Sequence, residues 1–352
     1  MRKKILFHIS SLYGGGAERV MSYLINYFYD ENYDVIVVVC YEHDYEYEIN
    51  NNIKKIVIGE ANILIQSRKL RKIIKKEQPD LCVSFMQGGN IRMVLANLFS
   101  KQKYVLSVRN DPSKEYTNFI FRWFARHMFN KSSGIVFQTE EAKLFFNKKI
   151  QKKAKIIYNP VDNHFFIDKR KNDVKDIVSL GRLTEQKNFE LLIRSFNLIK
   201  DEVDDNLLIY GDGELKNKLD ELISSLKLNN RVKLMGRTND SKSVLENAKC
   251  FVMSSNFEGM PNALLEAVCT LTPSISTDCP CGGPRIILND NVGILVPCDD
   301  ENSLSKQLLK VCNNTDLRLQ LSSNCYCKRE EFKYSNIIIQ WRNYFDKIID
   351  NL

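Results

Sequence analysis

The sequence predicts an α/β protein made of two parallel-sheet domains. The chain has 352 residues, which is about twice the usual length of one domain. Short apolar runs alternate with segments of helical periodicity along the whole chain, as in βαβ units whose helices cover both faces of a sheet. The second half repeats the scheme of the first. We therefore expect two Rossmann-like halves.

The apolar runs define the expected strands. Each run is short and is followed by a segment with helical or turn-forming residues, so it is interpreted as a buried strand. The runs are 5–9, 35–39, 81–85 and 104–108 in the first half, and 177–180, 206–210, 232–235, 250–253 and 274–277 in the second.

The domain boundary is expected at the segment Asn159-Pro160-Val161-Asp162. Proline restricts its own φ and disfavours helix in the residue before it, so regular structure should break there. The predicted domains are 1–158 and 159–335, and we expect them to face each other across a cleft. Residues 336–352 carry an apolar i, i+3/i+4 stripe, which predicts a C-terminal helix that crosses back onto the N-terminal domain.

Composition excludes several classes of protein. Hydrophobic residues make up 44% and charged residues 27%, so a disordered chain or a coiled coil is not expected. No apolar stretch approaches the roughly 20 residues that span a bilayer, and the N-terminal apolar run is too short for a signal peptide. A cytoplasmic location is expected. The closest cysteine pairs are separated by one residue, which is poor spacing for zinc, so we expect no metal site.

The formal charge of +8 predicts anionic partners. No helix-turn-helix, zinc finger or aromatic RNA-binding motif is present, so nucleic acid is not expected. Residues 68–76 carry six cations on a helical pattern whose apolar residues can face the sheet. We expect this helix to attract an anionic membrane surface, with a simply solvated helix as the alternative.

A second helical segment, residues 119–129, is apolar on more than one face. This pattern predicts a buried helix. A helix that lies in a membrane interface is the alternative.

A glycine-rich segment follows the first strand and precedes a helix. It reads Ser-Leu-Tyr-Gly-Gly-Gly-Ala-Glu-Arg from residue 11 to residue 19. Glycine allows a phosphate or a sugar to approach the backbone closely at a helix N-terminus, so Gly15 and Gly16 are candidate binding residues. A tight turn is the alternative. The G-x-G-x-x-G spacing of a dinucleotide loop is absent, which weakens a dehydrogenase interpretation.

Two cations follow the first strand of the second half. Arg182 and Lys187 lie between residues 177–180 and a helical pattern for which Asn188 is a suitable N-cap. Cations beside the positive end of a helix form a site that attracts a diphosphate. A solvated surface pair is the alternative.

The segment Asn-Phe-Glu-Gly-Met-Pro-Asn-Ala-Leu-Leu-Glu-Ala, residues 256–267, places two glutamates near such a site. Proline favours the first turn of a helix, so Glu258 should lie in a loop and Glu266 in the second helical turn. The backbone N–H groups near Asn262 and Ala263 would then face an anion. Carboxylates fit beside a phosphate when hydroxyl groups donate to them, as those of a nucleotide sugar do.

This segment resembles the hallmark of the family 4 retaining glycosyltransferases, which have the GT-B fold. Glu258 and Glu266 are separated by seven residues, as in the E-x7-E motif of that family. Further motifs occur in order along the chain: G-G-A-E-R at 15–19, N-P-V-D at 159–162, G-R-L-x-x-Q-K-N at 181–188 and G-D-G-E at 211–214. The resemblance therefore covers nearly the whole chain.

The resemblance implies transfer of a hexose or N-acetylhexosamine from a nucleotide sugar, expected to be UDP-linked, without a metal ion or other cofactor. It implies that Glu258 binds the donor sugar, that Glu266 binds the ribose, and that Arg182 and Lys187 hold the diphosphate and are catalytic together with Glu258. The other implied contacts are Gly15 and Gly16 at the phosphate, Arg237 near the base, and Gly259, Met260, Asn262 and Ala263 along the donor.

The implied acceptor is a glycan, carried on a polyprenyl lipid, in the synthesis of a bacterial surface polysaccharide such as capsule, O-antigen or lipopolysaccharide. Many family members have a His-Asp pair where this chain has Arg109-Asn110-Asp111. Arg109 and Asn110 are the candidates for the acceptor side, and Asp111 can simply shape the turn before proline. Ile286 stands where the family usually has glutamate.

Two other functions stay open. A nucleotide-sugar epimerase of similar fold would turn over the donor without an acceptor. A non-catalytic nucleotide-sugar-binding subunit would be indicated by loss of Lys187, Glu258 or Glu266, and the sequence retains all three.

Overall fold

The computed structural model describes residues 2–59, 61–171 and 174–350. The chain divides into two compact units. Unit 1 comprises Met1–Pro160 and Ser335–Leu352, and unit 2 comprises Val161–Tyr334. The chain leaves unit 1 beside the N-P-V-D segment and returns to it for its last helix.

The part of unit 1 that the structure describes contains a seven-stranded parallel sheet of order β3-β2-β1-β4-β5-β6-β7. Its strands are β1 (Lys4–Ile9), β2 (Asp34–Val39), β3 (Lys54–Val57), β4 (Leu81–Phe85), β5 (Tyr104–Ser107), β6 (Gly134–Phe137) and β7 (Ala154–Ile156). The helices between them are α1 (Gly16–Asp30), α2 (Ile63–Glu77), α3 (Met86–Ala96), α4 (Pro112–Glu115), α5 (Phe119–Met128), α6 (Glu140–Leu144) and α7 (Lys148–Lys152).

Among its described residues, unit 2 has a six-stranded parallel sheet of order β10-β9-β8-β11-β12-β13. Its strands are β8 (Lys175–Leu180), β9 (Leu207–Tyr210), β10 (Val232–Gly236), β11 (Ala248–Met253), β12 (Ser274–Thr277) and β13 (Ile294–Val296). Its helices are α8 (Phe189–Ile199), α9 (Lys216–Ser225), α10 (Ser241–Asn247), α11 (Asn262–Cys269), α12 (Gly283–Leu288), α13 (Glu301–Asn313) and α14 (Thr315–Lys328).

The two parallel sheets confirm the predicted fold class. Each unit has the Rossmann-like arrangement, in which successive strands first extend the sheet to one side and then cross to the other. The crossing lies between β1 and β4 in unit 1 and between β8 and β11 in unit 2. Loops that follow these central strands therefore diverge at one edge of each sheet and leave room for a ligand.

The core of unit 2 is a sheet face covered by two long helices. Leu192 and Phe196 of α8 and Leu304 and Leu308 of α13 are fully buried against apolar residues of the central strands. Full burial of each such side chain contributes about 1.5–3 kcal/mol. This packing holds the carboxyl ends of β8 and β11 in fixed positions.

The last helix, α15 (Tyr334–Ile349), completes the core of unit 1. Its Trp341 and Phe345 are fully buried. The Phe345 ring lies 5.3 Å from the Phe28 ring of α1 and 6.4 Å from the Phe7 ring of β1, between centroids. The first strand of the chain therefore depends on its last helix for part of its packing.

The prediction that residues 119–129 form a buried helix is wrong for most of the segment. In α5 only Ala125 is buried, while Phe119, Ile120 and Trp123 are 79%, 69% and 52% exposed. The reason is that the small Ala125 faces the body of unit 1, so the repeat of large apolar residues falls on the outward face. In the part of the chain that the structure describes, no helix is long and apolar enough to cross a bilayer.

We predict that Phe345→Ala lowers the free energy of unfolding by about 3–5 kcal/mol, because it leaves a cavity between α15, β1 and α1. Ile339→Ala on the same helix is the matched control, since Ile339 is 49% exposed. Urea unfolding followed by circular dichroism measures both. Equal losses for the two variants would contradict the packing role of Phe345.

Candidate active site

An ion pair joins the two central strands of unit 2 at their carboxyl ends. Lys187 follows β8 and Glu258 follows β11, and the Lys187 Nζ lies 2.5 Å from Glu258 Oε1. The side chains are 18% and 8% exposed. The pair therefore spans the point at which the strand order reverses, where ligands of parallel sheets bind.

Neutral donors complete the surroundings of the Glu258 carboxylate. The Ser255 hydroxyl donates to Oε1 at 2.8 Å, and the Gln186 amide donates to Oε2 at 3.4 Å. The Gln186 amide also donates to the Phe257 carbonyl at 3.0 Å. These contacts hold the carboxylate in one orientation.

Backbone contacts fasten the two loops to each other. The Ser254 hydroxyl donates to the Lys187 carbonyl at 3.0 Å, and the Asn256 N–H donates to the Gln186 carbonyl at 2.8 Å. Asn188 has a left-handed backbone, with φ of 45°, and its side chain accepts from the Leu191 N–H at 3.2 Å. Asn188 is therefore the N-cap of α8, as predicted.

Helix α11 begins beside this pair, as the proline predicted. Pro261 is its N-cap residue, and Asn262 and Ala263 occupy its first turn, where N–H groups have no partner within the helix. Glu266 lies in the second turn, is buried, and accepts a hydrogen bond from the Ser241 hydroxyl at 3.1 Å. Gly259 and Met260 form the buried connection from Glu258 to the helix.

Two glycines allow neighbouring loops to lie against this site. A Cβ on Gly283 would lie 1.7 Å from the Gly259 carbonyl oxygen, and one on Gly211 would lie 1.8 Å from the Gly181 carbonyl oxygen. No side chain fits at such distances, so both positions require glycine. The G-D-G-E motif and Gly283 of α12 thus bring the loops after β9 and β12 against those after β8 and β11.

Arg182 and Arg237, the other predicted cations of unit 2, follow strands that end at the same edge of the sheet. Arg182 is exposed in the loop after β8, and Arg237 is exposed in the segment after β10. Arg285 in α12 pairs with Asp278 at 2.9 Å. The following Ile286 is half-buried.

In unit 1 the glycine-rich segment leads into α1. Gly15 is the N-cap residue and Gly16 is the first helical residue, so backbone N–H groups begin directly after the glycines. Glu18 of the first turn holds its carboxylate against this end, since a Cβ on Gly15 would lie 2.0 Å from Glu18 Oε2. The binding of a phosphate or a sugar at Gly15 and Gly16 stays a prediction.

Arg109, at the end of β5, is a buried guanidinium that bonds to an amide. It is 7% exposed, its Nη2 donates to the Asn159 side-chain oxygen, and its Cζ lies 4.7 Å from the centre of the Phe85 ring. The Gln138 amide donates to the same Asn159 oxygen at 2.6 Å. Burial lowers the pKa of Arg109 to about 9, and the Glu18 carboxylate offsets part of that effect.

Asn110 and Asp111, which follow Arg109, make different contacts. The Asp111 carboxylate caps α4 by accepting from the Ser113 N–H at 2.8 Å, so it shapes the turn. Asn110 is half-buried, and its side-chain oxygen accepts from the Asp111 N–H at 2.9 Å. Burial, with the Asp111 carboxylate as a second cause, raises the pKa of Glu115 at the end of α4 to about 8.

A buried arginine that sequence reasoning missed supports the first strand of unit 1. Arg92 of α3 donates to His8 Nε2 at 3.0 Å, to the Ser10 hydroxyl at 2.6 Å and to the Gln66 side-chain oxygen at 3.3 Å. Burial and the Arg92 charge lower the pKa of His8 to about 3, so His8 stays neutral and accepts this bond. The network holds the strand end that precedes the glycines.

Two family models together cover almost the whole chain. Residues 14–165 match the model described as Glycosyltransferase Family 4, and residues 161–327 match the model described as Glycosyl transferases group 1. The chain belongs to glycosyltransferase family 4. The glycosyltransferase has the GT-B fold, whose two Rossmann-like domains correspond to units 1 and 2.

Two curated relatives are similar over most of their length. One is the GalNAc-alpha-(1->4)-GalNAc-alpha-(1->3)-diNAcBac-PP-undecaprenol alpha-1,4-N-acetyl-D-galactosaminyltransferase of Campylobacter jejuni, 26% identical over 96% of this chain and 97% of the relative. The other is the UDP-Gal:alpha-D-GlcNAc-diphosphoundecaprenol alpha-1,3-galactosyltransferase of Escherichia coli, 27% identical over 73% of this chain and 72% of the relative.

A solved structure is similar in fold. HepE of Anabaena, in complex with UDP and glucose, aligns with a TM-score of 0.83 at 18% identity, over 98% of this glycosyltransferase and 100% of that chain. At this identity the likeness concerns the fold alone.

Several residues of the site were absent from the sequence-based prediction. Gln186, Ser255 and Ser241 bind the two glutamates, and Gln138 and Asn159 surround Arg109. Asn159 lies in the N-P-V-D motif, which is visible in the sequence. The pattern predicts a hinge there but does not indicate a contact with Arg109. The two serines carried no signal, since serine is common at strand and helix ends.

The arrangement in unit 2 can bind an anion and hydroxyl groups together. Lys187, Arg182 and the N-terminus of α11 supply positive charge, while Glu258 and Glu266 supply hydrogen-bond acceptors. Among the described residues, no group of three His, Cys, Asp or Glu side chains could hold a metal ion.

We predict strong energetic coupling between Lys187 and Glu258 in the free glycosyltransferase. Removing either partner leaves a poorly solvated charge, so Lys187→Met and Glu258→Gln should each destabilise unit 2, while the double variant should lose less than the sum. We expect a coupling energy of about 1–3 kcal/mol from urea unfolding of the four proteins.

The control cycle uses Glu190 and Arg194, an i, i+4 pair on α8 whose side chains are 37% and 39% exposed. Such pairs contribute about 0.3–0.5 kcal/mol. A Lys187–Glu258 coupling no larger than that of the control would contradict a preformed pair.

Proposed function

We propose that the protein is a retaining glycosyltransferase that moves a hexose or N-acetylhexosamine from a UDP-sugar to a lipid-linked glycan, in bacterial surface polysaccharide synthesis. The observation that carries the proposal is the Lys187–Glu258 pair beside the N-terminus of α11. This pair combines a cation for a leaving phosphate with a carboxylate for sugar hydroxyls.

The donor is held by unit 2 in this proposal. Lys187 and Arg182 bind the diphosphate, Glu258 accepts hydrogen bonds from the transferred sugar, and Glu266 accepts them from the ribose hydroxyls. The burial of both carboxylates supports these roles, because a dry carboxylate binds hydroxyl donors more strongly than a solvated one. Arg237 lies near the base, and the first-turn N–H groups of Asn262 and Ala263 face the phosphates.

Catalysis in this proposal is mainly electrostatic. Charge develops on the departing phosphate as the glycosidic bond breaks, and fixed cations stabilise it. The acceptor attacks the face that the phosphate leaves, and the phosphate helps to remove the acceptor proton.

The acceptor side is assigned to unit 1. The names of the Campylobacter and Escherichia relatives describe acceptors that carry undecaprenyl diphosphate, which supports a polyprenyl-linked acceptor here. Arg109 and Asn110 are the proposed acceptor contacts. Helix α2 presents Arg68, Lys69 and Lys72 to solvent over buried Leu70 and Ile74, and this charge supports reversible attraction to the inner face of an anionic membrane.

The test of the proposal is a screen of UDP-galactose, UDP-glucose and their N-acetylamino derivatives with polyprenyl diphosphate-linked saccharides. We expect one donor to transfer its sugar and the product to have the α-configuration by NMR. Donor conversion to its epimer without acceptor would favour the epimerase. Tight donor binding with neither transfer nor slow hydrolysis would favour a non-catalytic subunit.

We predict that Lys187→Ala and Arg182→Ala lower kcat by about 10²–10³-fold and weaken donor binding much less, because their charges meet a phosphate that gains charge in the transition state. Glu266→Ala should instead weaken donor binding by about tenfold or more. Calorimetry measures binding and initial rates measure kcat. Lys233→Ala, an exposed lysine of β10, is the charge-matched control. An unchanged kcat in Lys187→Ala at saturating acceptor would remove this loop from the leaving-group site.

We also predict full activity in excess chelator. The basic residues and the helix dipole can neutralise a diphosphate without a divalent ion. Initial rates with and without EDTA check this. A loss of activity in EDTA that manganese or magnesium restores would disprove metal independence while leaving transfer itself intact.

A further inference from the structure

Helix α5 carries its large apolar residues on the face that points away from unit 1. Phe119, Ile120 and Trp123 lie at i, i+1 and i+4 and are 79%, 69% and 52% exposed. They form one outward surface, which we call the α5 patch. A surface helix of a globular protein normally has the opposite arrangement, with its apolar side buried.

The helix is fixed in place by polar contacts. The Asn118 side chain caps it by accepting from the Ile120 N–H at 2.8 Å, and Arg122 Nε donates to the Tyr116 carbonyl at 3.1 Å. Arg126 Nε donates to the Phe145 carbonyl at 3.1 Å, and the Arg126 guanidinium lies 4.6 Å from the centre of the Phe145 ring. These contacts hold the α5 patch outward without burying it.

Cations outnumber carboxylates in the segment of the chain that contains the α5 patch. Residues 112–153 contain nine lysines and arginines against three glutamates. Lys148 and Lys149 are exposed at the start of α7, and Asn147, which caps α7, donates to the Arg126 carbonyl of α5. An apolar surface with adjacent cations is complementary to an anionic lipid bilayer, which offers acyl chains below a layer of negative headgroups.

We propose that α5 docks the protein on anionic membranes by inserting Phe119, Ile120 and Trp123 into the interface between headgroups and acyl chains. Tryptophan favours this depth, because its ring is apolar and its N–H can reach water. Lys148 and Lys149 contact the headgroups. This inference is independent of the proposed transfer reaction, and it differs from attraction by the charges of α2 because it requires apolar insertion.

The same charges argue against a second copy of this chain as the occupant. A two-fold symmetric interface through the α5 patch would bring like-charged surroundings together, which opposes association.

Membrane docking also suits the position of α5 in the chain. Only α4 and residues 116–118 separate α5 from Arg109-Asn110-Asp111 at the end of β5.

The test uses the full chain and the fluorescence of its two tryptophans. Trp341 is fully buried and gives a constant background, whereas Trp123 is half-exposed and should shift to shorter wavelength on insertion. We expect this shift, and co-sedimentation, with vesicles of phosphatidylglycerol and phosphatidylcholine. Phe119→Ser combined with Ile120→Ser should weaken vesicle binding by about tenfold or more and abolish the shift.

The control pair is Leu198→Ser with Leu319→Ser, since these leucines of unit 2 are 50% and 59% exposed outside the α5 patch. It should bind vesicles like the unmodified protein. Glutamine in place of Arg71, Lys72, Lys75 and Lys76 of α2 should leave the Trp123 shift in place at saturating lipid. Binding through α5 should also persist in part at 0.5 M salt, where the Debye length is only about 4 Å.

The proposal is overturned if the full chain ignores these vesicles, or if the Phe119/Ile120 variant binds them as well as the control does. It is also overturned if that variant changes a dimer to a monomer in analytical ultracentrifugation while the vesicles leave Trp123 unshifted. The rate of sugar transfer to a water-soluble acceptor should be the same in all variants. A failure of docking is thereby distinguished from a failure of the proposed enzymatic function.

Discussion

The ion pair between Lys187 and Glu258 is the contact on which the geometry of the candidate site depends. It joins the loops after β8 and β11, the two strands between which the sheet of unit 2 reverses its order. The fold brings these loops to one edge but leaves them free to diverge there. The pair, with the Ser254 and Asn256 contacts to the opposite loop, fastens them together and sets the start of α11 beside Lys187.

Unit 1 also has a charged side chain near the carboxyl end of a strand, but its hydrogen-bond partner is an amide and not an opposite charge. Its central arginine, Arg109, bonds to the amide oxygen of Asn159 and lies over an aromatic ring, and its Nε and Nη1 have no partner among the described residues. An amide partner leaves the guanidinium charge largely uncompensated, which is why burial lowers the pKa of this group so far. Buried carboxylates therefore lie near the strand ends of unit 2, and a buried guanidinium lies near those of unit 1.

Sequence reasoning recovered the central strands of each sheet and the edge strand β10, and it missed four other strands. Most of the recovered runs are rich in buried apolar residues, although β10 has the exposed Lys233 and β12 contains two serines. The missed strands were β3, with two lysines, the short β6 and β7, and the three-residue β13. Such strands are partly solvated or too short to show a period. The glycine, proline and charged motifs indicate the candidate site in the sequence, because the spacing between their residues is visible along the chain.

What the sequence could not supply were pairings that depend on the third dimension. Nothing in the local pattern connects Asn159 with Arg109, or Ser241 with Glu266, because strands and helices separate them in the chain. The error at α5 has the same origin. An i, i+4 repeat of large apolar residues defines a face, but the buried face of α5 is the one that carries Ala125.

The placement of α15 has a consequence for synthesis on the ribosome. All of unit 2 is made before the final helix, so it can fold as a continuous segment while unit 1 is still missing part of its core. Phe7 and Phe28 are synthesised well before their partner Phe345. The N-terminal half of the nascent chain therefore keeps apolar surface open to chaperones until α15 has been synthesised.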